Sequence, residues 1–148
     1  MVTIEASCVI KKPKEKVFEI LRDMESYPSF MRDVKNLKVI KSLSDTKFIT
    51  SWETEIEGAP VNWKEEDNID EPAGIIKFNM VEGYYQSYQG IWHVKEWHDG
   101  SKLTLKADFD WGIPILEEYV GSVLKKKAER GLTGMVLAIK NKAENSNV

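Results

Sequence analysis

The chain has 148 residues, a length that one domain fills, and its 42% hydrophobic and 30% charged content provides apolar surface for one core. A formal net charge of -3 gives no electrostatic reason to expect nucleic acid as a partner. The lone cysteine, Cys8, excludes an intrachain disulfide framework, and no stretch reaches the roughly 18 apolar residues that would span a bilayer.

The opening segment alternates, with Ile4, Ala6, Cys8 and Ile10 on one face and Thr3, Glu5 and Ser7 on the other. That period of two predicts a half-buried strand. It is also unlike the continuous apolar run of an export signal, and Lys11, Lys12 and Lys14 follow early, so a cytoplasmic protein is expected. Pro13 suits the first turn of a helix, whose apolar stripe is Val17, Phe18, Leu21 and Met24. Tyr27-Pro28 should break it, because a residue before proline is pushed out of the helical region. One further short turn of helix is expected at Ser29 to Arg32.

From Val34 the period is two again. Leu37, Val39 and Lys41 predict a strand, followed by a turn through Ser42-Leu43-Ser44-Asp45. Phe48, Thr50, Trp52, Thr54 and Ile56 form one face of the next strand, opposite a wet face of Lys47, Ser51, Glu53, Glu55 and Glu57. A turn is expected at Gly58-Ala59-Pro60, then a strand with Val61, Trp63, Glu65, Asp67 and Ile69 on one face. After Glu71-Pro72-Ala73-Gly74, Ile76, Phe78 and Met80 continue the inner face, and Tyr88, Gly90, Trp92 and Val94 share a face of the following strand. His98-Asp99-Gly100-Ser101 carries the Asp-Gly signature of a tight hairpin. Leu103, Leu105, Ala107 and Phe109 complete the last strand.

Behind Pro114 the period becomes helical and stays so. Leu116, Val120, Val123, Leu124, Leu132, Met135, Val136 and Ile139 recur three or four apart. A helix of about 28 residues would run roughly 42 Å. Gly121, Gly131 and Gly134 weaken it locally and would let its backbone come close to the sheet or to a ligand. The last residues, Asn145 to Val148, should fray.

The opening strand leads into Pro13-Lys14-Glu15-Lys16-Val17-Phe18, and Asp23 precedes Tyr27-Pro28-Ser29-Phe30-Met31. Val81-Glu82-Gly83, Gly90-Ile91-Trp92 and Asp108-Phe109-Asp110 before Gly112-Ile113-Pro114 come later in the same order. Taken together over nearly the whole length, these pieces resemble the START-like superfamily, also called SRPBCC, and within it the polyketide cyclase/dehydrase and coenzyme-Q-binding group. The resemblance implies an α+β helix-grip fold in one domain over residues 1–148. A curved antiparallel sheet of about seven strands would wrap a long C-terminal helix, with two short helices after the first strand. It also implies a deep cavity between sheet and helix. That superfamily holds lipid carriers, hormone receptors, aromatase/cyclases, quinone-binding proteins and a toxin acting on ribosomes, so the fold names a pocket and not a reaction.

The inward aromatic set Trp52, Trp63, Phe78, Tyr88, Trp92 and Phe109, joined by Leu124, suits a flat or isoprenoid ligand. The same rings could instead close into a solid aromatic core. Glu65 and Asp67 point to the concave side by parity with Val61 and Trp63, unless a bulge reverses it. A buried carboxyl has its pKa raised toward the range useful for acid/base work. Glu65, Tyr88 and His93 are therefore the candidate proton-moving residues. No metal site is expected, since His93 and His98 lie five apart on opposite faces, and no cofactor fingerprint is present. Three functions follow: a binding module for a lipid, quinone or polyketide-like aromatic; a cyclase/dehydratase using a pocket carboxylate; or a toxin-like interaction module. The expected partner is a small hydrophobic molecule, and the sequence leaves the oligomeric state open.

Overall fold

A computed structural model describes residues 2–83, 85–110, 112 and 114–145, the stretch 114–120 by its backbone alone. Strand β1 (Val2–Ile10) leads into helix α1 (Lys14–Arg22) and a 3-10 helix (Met24–Ser29). Six strands follow: β2 (Val34–Ser42), β3 (Lys47–Ile56), β4 (Ala59–Asp70), β5 (Ile75–Gly83), β6 (Ser87–Trp97) and β7 (Gly100–Asp110). Helix α2 (Pro114–Glu144) ends the chain order. The described strands form one seven-stranded antiparallel sheet in the order β1-β7-β6-β5-β4-β3-β2. This is the helix-grip arrangement that the sequence implies.

Each meander step is a hairpin, and the first strand returns to pair with the last, Ile4 opposite Ala107 and Cys8 opposite Leu103. The concave face therefore collects the alternating inward positions of β1 and β3 to β7, with Val34 and Leu37 of β2. Leu103, Leu105, Ala107 and Phe109 of β7 are buried there with Trp92 and Val94 of β6 and Ile4 and Ile10 of β1. Helix α1 adds Val17, Phe18 and Leu21, one face of its turns. Helix α2 packs on β1, α1 and β7, and its buried positions are Leu132, Val136, Ile139 and Ala143. Leu124 and Met135 are half-buried. The side chains of Leu116 and Val120, and the expected fraying at Ser146 to Val148, lie outside the described residues.

Four local expectations change. The second short helix is Met24–Ser29 rather than Ser29 to Arg32. Tyr27 is the cause: it is fully buried, its hydroxyl donates to Leu21 O at 2.5 Å, and its own carbonyl accepts from Phe30 N and Met31 N. The β3–β4 turn is Glu57-Gly58, with φ of 51° and 85°, and Ile56 pairs with Ala59. Both turn residues have the positive φ that a tight hairpin demands. The β6–β7 turn is His98-Asp99, since Trp97 pairs with Gly100. Gly100 serves a different need, because a Cβ there would stand 2.2 Å from Ile10 O where β1 ends. Finally, β2 is not a clean alternating strand. Its register against β3 skips at Lys35 and at Ile40, two bulges that bend it, and Val39 and Ile40 are exposed.

Candidate functional site

Strand β4 organises the site. Its inward positions are Val61, Trp63, Glu65 and Asp67, all buried. The nearby bulge falls in the partner strand: Lys64 pairs with Glu82 and Glu65 with Met80, leaving Val81 as the extra, exposed residue. The parity of β4 is therefore kept, and both carboxyls face the concave side.

Aromatic side chains from neighbouring strands meet at register positions. Trp52 of β3 lies opposite Trp63 of β4, and their rings stack with centroids 5.1 Å apart at 15°. Tyr88 of β6 lies opposite Phe109 of β7, stacked at 4.7 Å and 30°. Tyr88 joins the two pairs, edge-on to Trp63 at 5.4 Å, and Phe78 tilts against it at 5.1 Å. The result is a continuous aromatic wall across five strands, β3 to β7.

Between this wall and α2 lies an inner chamber of about 50 Å³. Trp63, Tyr88 and Phe109 face it from the sheet, and Ala128, Gly131 and Leu132 from the helix. Tyr85, Val34, Ile56 and Met135 close the sides. Thr54, also on the wall, turns its hydroxyl to Val61 O at 2.5 Å, so it offers little polarity to the void. A Cβ at Gly131 would meet nothing within 4 Å. The glycine thus leaves bare helix backbone beside empty space; of the two neighbours the sequence suggested for it, the sheet or a ligand, the sheet does not come within 4 Å of a Cβ there.

Behind the wall sits a polar cluster. Trp63 Nε1 donates to Glu65 Oε1 at 2.7 Å, Trp52 Nε1 donates to Thr50 Oγ1 at 2.9 Å, and Thr50 Oγ1 donates to Asp67 Oδ2 at 2.5 Å. Glu65 and Asp67 are neighbours on the inner face of β4, 3% and 1% exposed, with no cation paired to either among the described residues. Burial pushes the Glu65 carboxyl well above the usual carboxylate range; the Asp67 charge and hydrogen bond push further, and the Trp63 N–H partly opposes them. Burial also raises Asp67, against the lowering effect of its bonds from Glu65 and Thr50. Asp67 Oδ1 is buried with no hydrogen-bond donor among the described residues, which adds to the cost of a charge on that carboxyl. Burial, then the Glu65 charge, raises the Tyr88 hydroxyl well above its ordinary value, which puts Tyr88 within electrostatic reach of the pair.

The expected site residues divide accordingly. Trp63, Tyr88 and Phe109 line the chamber, Trp52 and Phe78 back them, and Trp92 is buried in the core beyond. Leu124 lies half-buried, one helical turn before the first chamber position on α2. Glu65 stands behind Trp63 and is not on the chamber surface. His93 alternates with buried Trp92 and Val94 and so faces outward, away from Glu65 and Tyr88. Sequence reasoning did not select Tyr85, Ala128 or Leu132 as lining, while the sequence does mark Gly131 as a place of close approach to the sheet or a ligand; the helical stripe held Leu132, but its facing partner was not readable.

A family described as polyketide cyclase / dehydrase and lipid transport matches residues 10–136. The ribosome association toxin RatA of Pseudomonas aeruginosa is 21% identical over 126 residues, 84% of this chain and 86% of that protein. A crystal structure of a Thermus thermophilus protein superposes with a TM-score of 0.92 at 20% identity, covering 99% of this chain and 100% of that one. The Zhui aromatase/cyclase of a Streptomyces species superposes at 0.87 with 15% identity, covering 97% and 93%. A START superfamily protein of Mycobacterium smegmatis does so at 0.80 with 16% identity, covering 96% and 97%.

Proposed function

Because the chain belongs to the polyketide cyclase / dehydrase and lipid transport family, of START-like fold, we propose that it binds one small hydrophobic molecule between the aromatic wall and α2. The observation that carries this is the lining itself: three stacked or edge-packed rings face a helix stretch of Ala128, Gly131 and Leu132 with unfilled space between. A lipid, a quinone or a polyketide-like aromatic fits such walls. The inner chamber alone is smaller than the roughly 300–1,000 Å³ of a usual ligand site. It adjoins, however, a groove of about 320 Å³ with which it shares Asp33, Val34, Ile56, Gly131 and Met135. The ligand's body lies in that groove and its apolar end enters the chamber.

Titration with the neutral fluorophore N-phenyl-1-naphthylamine tests this. One saturable site per chain is expected, lost in Gly131→Leu. Absence of saturable binding to the folded wild-type protein would reject the reading.

The carboxyl pair favours a second reading, a cyclase/dehydratase in which Tyr88 meets the substrate and Glu65 holds the proton behind it. Turnover that falls at least about a hundredfold in Glu65→Gln, with binding retained, is the expected signature. A toxin-like interaction role draws support only from the 21% identity to the ribosome association toxin.

A further inference from the structure

The way out of the chamber is basic in a chain that is acidic overall. Beyond the groove of about 320 Å³ a second one, about 490 Å³, continues along α2; the two share Arg32 and Gly134. The charged side chains on these walls are Arg32, Lys127, Arg130 and Lys142 against Asp33 and Glu57. Four cations thus face two carboxylates, although the whole chain carries a net charge of -3.

The two acids are not placed alike. Glu57, at the β3–β4 turn, binds both Arg130 at 2.6 Å and Lys127 at 3.4 Å. Asp33 lies on the wall shared by chamber and groove, where a carboxylate repels any anion that would go further in. Arg32, exposed at the junction of the two grooves, has no ion-pair partner among the described residues. Lys142 Nζ stands 5.8 Å from the Phe30 ring centre in the outer groove. Charge therefore changes sign along the path: apolar inside, an acid at the threshold, uncommitted cations outside.

Resting on the binding reading above, we infer that the ligand is an amphiphile with an anionic head, a carboxylate or phosphate, and that Arg32 holds that head at the mouth while the apolar part enters the chamber. A guanidinium matches both anions in two-point geometry. Lys127 and Arg130 add a screened attraction that Glu57 partly cancels. The head stays outside Asp33, and the tail passes it beside bare Gly131.

Calorimetry with decanoate and decanol, both below micelle-forming concentration, separates head from tail. Decanoate should bind at least about fivefold more tightly, and the advantage should shrink in 0.5 M salt. Arg32→Gln should remove most of the advantage of decanoate over decanol, leaving the small part due to Lys127 and Arg130, and leave decanol unchanged. Glu57→Gln, which frees Arg130 and Lys127, should strengthen decanoate alone. Sedimentation with phosphatidylglycerol and phosphatidylcholine vesicles identifies the source: capture by the anionic vesicles assigns the head to a bilayer lipid, and its absence beside decanoate binding assigns it to a free acid. Equal affinity for decanoate and decanol overturns the inference while the chamber reading stands. Binding of neither overturns both.

Discussion

The indole of Trp63 spans the chamber and the acid pair: its ring faces Tyr88 edge-on at 5.4 Å, while its Nε1 donates to Glu65 Oε1 at 2.7 Å. One side chain therefore forms the wall that a ligand touches and fixes the carboxyl that it does not touch. Trp63→Phe keeps most of the wall and removes the donor. Glu65 should then titrate still higher than in the wild-type protein, because the Trp63 bond is what lowers it. A carboxyl-resolved NMR titration checks this; a midpoint unchanged or lowered by the substitution would count against it.

Stability should depend on pH through Glu65. Its folded pKa lies above its unfolded value, so between the two the native state binds more protons than the unfolded state. The stabilising contribution is full below about pH 4, near the unfolded value of about 4.3, and is lost as pH rises toward the raised folded pKa. Glu65→Gln keeps a donor to Asp67 and has no charge to suppress. Urea denaturation at pH 4 and pH 8 should show the variant gaining stability relative to wild type at the higher pH. A difference independent of pH would mean that Glu65 is ionised or paired in the native protein.

The grip of α2 should be uneven along its length. Ile139 is fully buried, and Ile139→Ala should cost about 2–5 kcal/mol. Leu124 is half-buried, and Leu124→Ala should cost clearly less, on the order of 1 kcal/mol. Chemical denaturation of the two variants ranks them directly. Equal losses would show that the helix is clamped as firmly at Leu124 as at Ile139.

Gly131 offers a test of the chamber that separates stability from binding. A Cβ there meets no atom within 4 Å, so Gly131→Ala should stabilise α2 by up to about 1 kcal/mol through helix propensity. Gly131→Met should do the same for the helix and extend a side chain into the space that a ligand needs. Thermal melts are expected to rise in both, and fluorophore affinity to fall mainly in the methionine variant.

Strand parity made the concave face legible in the sequence: Trp52, Trp63, Tyr88, Trp92 and Phe109 are all buried as alternation demands. The inward turn of Glu65 and Asp67 was legible for the same reason, and it held because the bulge took its extra residue at Val81. What alternation cannot give is depth. Whether a carboxyl lines a void or stands behind a ring depends on packing across strands, which put Trp63 in front of Glu65. Nor could helical period say which part of a long stripe carries the packing; Leu132, Val136, Ile139 and Ala143 do so, while Leu124 is only half covered. The outward turn of His93 was legible from the same alternation, since its neighbours Trp92 and Val94 take the inner face, and choosing it as a proton-moving residue went against that parity. The basic mouth had no sequence signal in these residues, because Arg32 lies far from Arg130 and Lys142 in the chain and shares a groove with each only in the folded structure.

The two bulges of β2 have a consequence beyond bending the sheet. This strand ends the sheet order; Val39 and Ile40 on it are 42% and 51% exposed, and Leu43 just past its end is 42% exposed. A flat outer strand of that composition would offer its free backbone groups as a template to other chains, the route to fibrils. The skips at Lys35 and Ile40 interrupt the run of evenly spaced donors and acceptors, and Lys35, Lys38 and Lys41 set a charge between the apolar positions. Two misfit residues and three lysines thus make β2 a poor template for pairing with another chain.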